Sequence, residues 1–138
     1  SSGLRSGSCG RRCHERRQVN EIVLGYAPAP AVYTANATAA LTVADLEGGI
    51  ILYTQTNANN LQLPAVTGVG GVDAEISSAK VGSTFEFAVI STSTGVGTLT
   101  VNTGWTLVGS GLTTASGFGA IFRARKTGDG TYTCYRIG

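Results

Sequence analysis

The sequence predicts an all-β fold: a sandwich or jelly-roll-like domain with one short helix and an extended N-terminal arm. Short segments rich in β-branched and aromatic residues recur every ~8 to 15 residues, as in sandwiches and barrels. Turn residues separate these segments, and the 138-residue chain contains 20 Gly for the turns. This length suits a single domain with one hydrophobic core. No fixed-period repeat is apparent.

The predicted domain boundary lies at residue 30, where the charge pattern changes. Residues 1–30 form a basic arm and a Pro/Ala linker, with five Arg against two Glu and a net charge of +3. Residues 31–138 form the predicted β-sandwich body, with a net charge of −1. Gly, Ser and Arg dominate the first 20 residues, a composition typical of extended or disordered segments. Pro28 and Pro30 predict a stiff linker before the body.

Alternating side chains define the strands of the body. Phe85, Phe87 and Val89 share one face and are predicted to lie in the core. Residues 50–54 (IILYT) predict another strand, and residues 72–80 are the one plausible helix. Leu99 and Val101 repeat this alternation in a strand at 97–102. In a strand at 120–125, Ala120, Phe122 and Ala124 alternate with Ile121, Arg123 and Arg125. Further strands are predicted at 39–43, 61–63, 105–108 and 131–137, with turns at 45–49, 57–60 and 127–130.

The low charge predicts that part of the surface is covered. Only 13% of residues are charged, compared with roughly 25% in typical soluble domains. No run of about 18 apolar residues is present, so we expect no membrane-spanning segment. The sequence therefore predicts apolar surface that is hidden in an oligomer or a larger assembly.

The chemistry-bearing residues do not form a catalytic pattern. The only His, His14, lies in the arm, so a Ser/His/Asp triad would have to recruit it from there. The carboxylate pairs Asp45/Glu47 and Asp73/Glu75 are interpreted as turn and helix-start residues. We therefore expect no enzyme activity, no catalytic residue and no cofactor.

Cys9, Cys13 and His14 form the one cluster with metal-binding side chains. A closed zinc site needs four ligands, and no fourth lies at a suitable local spacing, although Glu15 or Cys134 could be brought near. We therefore expect no metal. The odd count of three Cys excludes a complete intrachain disulfide framework, and it leaves open whether any of them crosslinks subunits.

Basic and aromatic side chains near the C-terminus allow a nucleic-acid interpretation. Arg123, Arg125 and Arg136, with Tyr132 and Tyr135, resemble a platform that stacks single-stranded bases. However, Tyr132 and Tyr135 point to opposite faces of a strand, and the body has a net negative charge. These residues are therefore interpreted as cross-strand pairs, and nucleic acid is not an expected partner.

Three segments of the second half resemble a β domain that recurs in bacteriophage virion proteins. They are AKVGSTFEFAVIST (79–92), TLTVNTGWTLVGS (98–110) and FRARKTGDGTYTCYRIG (122–138). The resemblance implies a role on the virion surface, of the capsid decoration (cement) or tail-fibre type. Decoration proteins of this kind are usually trimers, and an N-terminal arm commonly adds a strand to the edge of the capsid protein.

The expected function is therefore that of a capsid decoration protein on the capsid surface of the virion. We expect a homotrimer whose arm binds the major capsid protein through paired arginines and strand addition. The residues expected to make these contacts are Arg11, Arg12, Arg16, Arg17, Ile22, Val23, Leu24 and Tyr26. The alternative is a tail-fibre or receptor-binding module, in which Trp105 or exposed Tyr side chains stack on sugars.

Overall fold

The computed structural model describes residues 24–138, which form a β-rich fold of two mixed sheets with two short helices, α1 (Val43–Gly48) and α2 (Val72–Glu75). The β-rich prediction is confirmed. The prediction of one helix is wrong, because residues 24–138 contain two. The strands are β1 (Ala31–Tyr33), β2 (Ala39–Ala40), β3 (Ile50–Tyr53), β4 (Asn59–Gln62), β5 (Thr84–Ser91), β6 (Gly97–Thr100), β7 (Trp105–Val108), β8 (Leu112–Thr113), β9 (Gly119–Gly128) and β10 (Thr131–Arg136).

The chain passes back and forth between the two sheets. The six-stranded sheet has the order β1-β3-β5-β9-β10-β7, and the four-stranded sheet has the order β2-β4-β6-β8. β1, β3 and β5 are parallel to one another, as are β2, β4 and β6. The first six strands therefore wind like a short solenoid, in which each turn contributes one strand to each sheet. The hairpin of β9 and β10 then pairs antiparallel with β5.

Both helices occupy the same place in this winding. α1 connects β2 to β3, and α2 connects β4 to β5, so each helix lies where the chain returns from the four-stranded to the six-stranded sheet. The first turn takes roughly 20 residues and the second roughly 40, because the connection that carries α2 is much longer. Both turns of the winding therefore contain the same order of strands and helix, but they differ in length, so the sequence shows no constant repeat.

The helix α1 replaces elements that the sequence predicted as a strand and a turn. Thr42 Oγ1 accepts from the Asp45 amide at 3.2 Å, and the Asp45 carboxylate accepts from the Thr42 amide at 3.0 Å. This capping box satisfies two amides at the start of the helix. Gly49 ends it in the left-handed region at φ 85°. The predicted strand 39–43 is consequently reduced to Ala39–Ala40.

The helix α2 is shorter than the predicted segment 72–80. It ends at Glu75, and the following residues turn, with the Lys80 amide donating to Ser83 Oγ at 2.9 Å. Two consecutive serines at 77–78 have side chains that compete for backbone hydrogen bonds, so they favour the turn.

A single core cluster draws its side chains from both sheets and both helices. The predicted alternation in β5 and β9 is confirmed, because Phe87 and Phe122 are buried and their rings stack at 5.3 Å. Val101, which was predicted to continue the buried face after Leu99, is 39% exposed because β6 ends at Thr100. The buried apolar residues are Leu41, Val43, Leu46, Ile51, Tyr53, Leu61, Leu63, Val66, Val72, Phe87, Val89, Leu99, Trp105, Ala120, Phe122, Ala124, Tyr132 and Cys134.

A partly buried carboxylate joins α2 to the β9–β10 hairpin. Asp73 Oδ1 contacts Lys126 Nζ at 3.1 Å, and its Oδ2 accepts from the Gly130 amide at 2.8 Å. The hydrogen bond to Asp73 raises the pKa of Lys126. Through this salt bridge and this hydrogen bond, Asp73 connects the second turn of the winding, which carries α2, to the C-terminal hairpin.

Candidate functional site

The predicted arm contacts fall mostly outside the described residues. Arg11, Arg12, Arg16, Arg17, Ile22 and Val23 lie there, as do Cys9, Cys13 and His14. Leu24 and Tyr26 are described, and they are 81% and 103% exposed, respectively. Residues 24–30 have no regular secondary structure, and all of them are exposed. The two described members of the predicted contact set are thus fully available to a partner.

The side of the six-stranded sheet that faces away from the core carries exposed and half-buried side chains on every strand. We call it the outer face. Its side chains alternate with the buried ones along β1, β3, β5, β9, β10 and β7. Its central residues are Val32, Ile50, Leu52, Glu86, Ala88, Ile90, Val108, Ile121, Arg123 and Tyr135.

Strand register places these side chains in rows across the sheet. Val32 lies opposite Leu52, which lies opposite Ile90. In the neighbouring row, Ile50 lies opposite Ala88, which in turn lies opposite Ile121. Both rows are wholly apolar, and their members are exposed or half-buried. The two rows together make a continuous apolar strip over the parallel part of the sheet.

The third row of the outer face mixes charged and apolar groups. Glu86, Arg123, Tyr135 and Val108 lie side by side on β5, β9, β10 and β7. Arg123 contacts Glu86 through both Nε, at 2.7 Å, and Nη2, so the two charges neutralise each other. A cross-strand salt bridge with each side chain about half exposed contributes little to stability, ~0 to 1 kcal/mol. Its larger effect is to leave this row without net charge.

A fourth, polar row borders the outer face. Arg125 lies opposite Thr84 on one side and Thr133 on the other, and Thr133 lies opposite Thr106. The surface thus changes within four rows from aliphatic groups to hydroxyls and a guanidinium. Apolar rows with a polar row at their border resemble the core and rim of a protein interface.

The residues that were considered for base stacking do not form one platform. Tyr132 is 1% exposed, whereas Tyr135 is 37% exposed on the opposite side, as the alternation predicted. Arg123 is paired with Glu86, and Arg136 donates to the carbonyl oxygens of Leu112 and Gly138. The cross-strand interpretation of Arg123 is confirmed.

The predicted sugar-stacking Trp105 is not available to a ligand. It is 7% exposed, its ring packs against Tyr132 at 5.3 Å, and its Nε1 donates to the Pro64 carbonyl at 2.7 Å. It closes the core beneath β7. Trp105 is therefore a core residue, which corrects that part of the receptor-binding alternative.

The carboxylates of the body serve the fold. Asp45 caps α1 and accepts a hydrogen bond from the Tyr33 hydroxyl, and Asp73 holds Lys126. Burial, followed by the hydrogen bond to Asp45, raises the pKa of Tyr33. Asp73 agrees with its interpretation as a helix-start residue. Asp45, which was interpreted as a turn residue, instead lies in the first turn of α1.

A shallow groove of about 450 Å³ runs beside the two helices, with Glu47 and Glu75 among its lining residues. Its walls are Leu41, Val43, Ala44 and Pro64, together with Thr42 and Gly70. Within residues 24–138, no three His, Cys, Asp or Glu side chains come close enough to hold a metal ion. The groove therefore offers two carboxylates without a third ligand.

Cys134 lies in the core and is inaccessible. It is 0% exposed, and burial raises the pKa of its thiol to about 12. A thiol that is neutral and buried is unreactive at ordinary pH, so Cys134 cannot crosslink subunits in the folded chain.

No family model matches the chain, and no curated protein or solved structure matches it either. No helix in the described part of the chain is long and apolar enough to cross a membrane. The resemblance to phage virion proteins consequently stays a prediction, and the outer face is the feature from which a function is argued.

Proposed function

We propose that this chain is a virion structural protein, a capsid decoration protein that stabilises a phage head through its β body and N-terminal arm. The observation that carries the proposal is the outer face, a broad apolar surface on a folded body with few charges. A contiguous apolar patch of more than a few hundred Å² on a soluble domain marks an interaction site. Such a surface suits a protein that works by assembly.

The proposal assigns separate tasks to the body and the arm. The body forms a homotrimer on the capsid surface, and the arm reaches the major capsid protein. Four arginines of the arm, Arg11, Arg12, Arg16 and Arg17, pair with acidic capsid patches. Ile22, Val23, Leu24 and Tyr26 add a strand to a capsid sheet edge, and the exposure of Leu24 and Tyr26 supports this part.

The finer fold assignment belongs to the same proposal. We infer a sandwich-like body, in which the two sheets face each other across one core. The single cluster of buried residues, with Ile51 and Phe87 from one sheet and Leu61 and Leu99 from the other, supports it. Parallel pairing within both sheets separates this winding from an antiparallel jelly roll.

Co-sedimentation with phage heads tests the proposal. Heads of the virus that encodes the chain, prepared without this protein, are mixed with the full chain and pelleted. The full chain should saturate a fixed number of sites, and replacing the four arm arginines by Ala should weaken binding by about tenfold or more. Lys80→Ala, which removes an exposed cation of the body, is the matched control and should bind normally. A full chain that does not bind heads would contradict the proposal.

The alternative is a tail-fibre or receptor-binding module. With Trp105 buried, its stacking groups would be Tyr26 and Tyr135, both exposed. Selective binding to a glycan array that is lost in Tyr135→Ala would favour this alternative over decoration. Binding to heads with no glycan recognition would favour decoration.

A further inference from the structure

We propose that the outer face is the subunit interface, at which it packs against the same face of other copies of this chain. The inference rests on the proposed function for the number of copies, three, and names the surface that those copies share. Its occupant is therefore a second copy, not the capsid protein and not the arm.

The first argument is the strand direction beneath the outer face. All-parallel sheets are almost always covered on both sides, and their strands are apolar on both sides. The six-stranded sheet is mixed, but its parallel strands β1, β3 and β5 show the same pattern, since Val32, Ile50 and Ile90 point outward where an exposed sheet would carry polar groups. In the described chain, however, Val32 is 53% exposed and Ile50 is 41% exposed. The sequence is that of a covered sheet, and residues 24–138 leave this face open.

The second argument is area. Val32, Ile50, Val108, Ile121 and Tyr135 are each between 37% and 53% exposed on this one face. Leu52, Ala88 and Ile90, which are half-buried, extend this apolar surface between them. A standard-sized interface buries about 800 Å² on each partner, which takes about 20 to 30 residues a side. The outer face offers exposed apolar side chains on five of its six strands, so the contact can extend over the whole sheet.

The third argument is charge. Glu86 and Arg123 neutralise each other, so two copies of the face meet without a large repulsion. The basic arm is a poor occupant for the same reason, because the one carboxylate in these rows is already paired and Arg125 adds positive charge at the border. A surface with adjacent apolar rows and internally paired charges suits a copy of itself.

The geometry permits the closed assembly that the proposed function needs. Three sheets whose outer faces point toward a common threefold axis each contact the other two, as in a triangular prism. The polar row of Arg125, Thr84, Thr133 and Thr106 would then lie at the solvated end of the contact. The apolar rows would lie toward the other end, where they exclude water.

The test introduces a charge on the outer face without burying it in the core. In Ile121→Asp, the new carboxylate replaces a side chain that is 45% exposed in the single chain. Val101→Asp is the matched control, because Val101 is 39% exposed and follows β6 of the other sheet. Native mass measured over a dilution series should show self-association of the full chain, weakened about tenfold or more by Ile121→Asp and unchanged by Val101→Asp.

A second measurement needs no variant. Hydroxyl-radical footprinting of the wild-type full chain should protect Ile50, Ile121 and Tyr135 at high concentration and release them on dilution. Val69, which is 107% exposed in a loop, should be labelled equally at both concentrations. If Ile121→Asp failed to fold, protection of these three side chains that increases with the concentration of the wild-type chain would still support the inference.

The outcomes separate this inference from the proposed function. A wild-type chain that is monomeric at all concentrations, or an oligomer that Ile121→Asp leaves intact while footprinting shows the face exposed, overturns the inference. Either result is compatible with binding to heads, which would leave the decoration role standing. An oligomer that depends on the outer face but never binds heads supports the inference and overturns the proposed function.

Discussion

The hydroxyl group of Tyr132 provides a sharp test of the core. The side chain is 1% exposed, and its ring packs against Trp105 at 5.3 Å and Phe85 at 6.2 Å. Among residues 24–138, no group lies within hydrogen-bonding distance of the hydroxyl. Leaving a buried polar group unpaired costs ~1 to 3 kcal/mol. Tyr132→Phe removes this group and keeps the ring contacts, so we expect the free energy of unfolding to rise by about 1 kcal/mol.

Tyr53→Phe is the matched control, with the same chemical change and the opposite expected sign. Tyr53 is 0% exposed, and its hydroxyl donates to the Asn57 carbonyl, so its loss should lower the free energy of unfolding by about 1 kcal/mol. Equilibrium urea unfolding measures both variants, with equal m-values showing that only stability has changed. A Tyr132→Phe variant less stable than wild type by 1 kcal/mol or more would refute the reasoning, because the hydroxyl would then have to be satisfied.

Three further predictions test the backbone, the cap and the pH dependence. Gly104 and Gly117 both have positive φ, at 91° and 88°. A Cβ added at Gly104 would lie 2.5 Å from the Gly130 carbonyl oxygen, whereas a Cβ added at Gly117 would meet no atom within 4 Å. By thermal unfolding, Gly104→Ala should therefore cost about 2 kcal/mol more than Gly117→Ala. Thr42→Ala should lower the free energy of urea unfolding by about 1 kcal/mol through loss of the α1 cap, and an unchanged stability would contradict the capping box. Folding raises the pKa of the Cys134 thiol from 9.0 to about 12, so the stability that the neutral thiol contributes is complete below pH 9 and is lost as pH rises toward 12. Urea unfolding from pH 8 to 11 should therefore show the wild type losing stability faster than Cys134→Ala. Parallel pH profiles of the two proteins would contradict this.

The strands could be predicted from sequence because side chains alternate between the two faces of a strand whether its neighbours are parallel or antiparallel. Phe87 and Val89 were assigned to the core, and both are buried. The helix α1 was missed because its six residues, VADLEG, are too few to show helical periodicity. Its local signal was Thr42 followed three residues later by Asp45, a capping pattern that precedes the apolar Leu46. Short helices are recognised more readily from their caps than from their apolar face.

The winding between sheets could not be predicted because its turns differ in length. A solenoid is recognised from a constant repeat, and here the longer connection around α2 makes the second turn about twice as long as the first. The low charge predicted covered surface, but it did not say which face would be covered. Alternation places Ile121 and Phe122 on opposite faces, and only the packing of the two sheets shows that Phe122 is inside and Ile121 outside.

Self-association alone does not separate the decoration and tail-fibre functions, because an apolar outer face would be covered between subunits in either protein. What separates them is the surface that remains after assembly. If the outer face is buried between copies, Tyr135 is buried with it, and Tyr26 and Phe118 are the exposed aromatics left in the described chain for stacking on a sugar. A glycan-binding function would then have to use these two side chains, whereas attachment through Leu24, Tyr26 and the arm arginines is unaffected. Burial of the outer face in a trimer thus favours the decoration function, and glycan binding that survives Tyr135→Ala would argue against this reasoning.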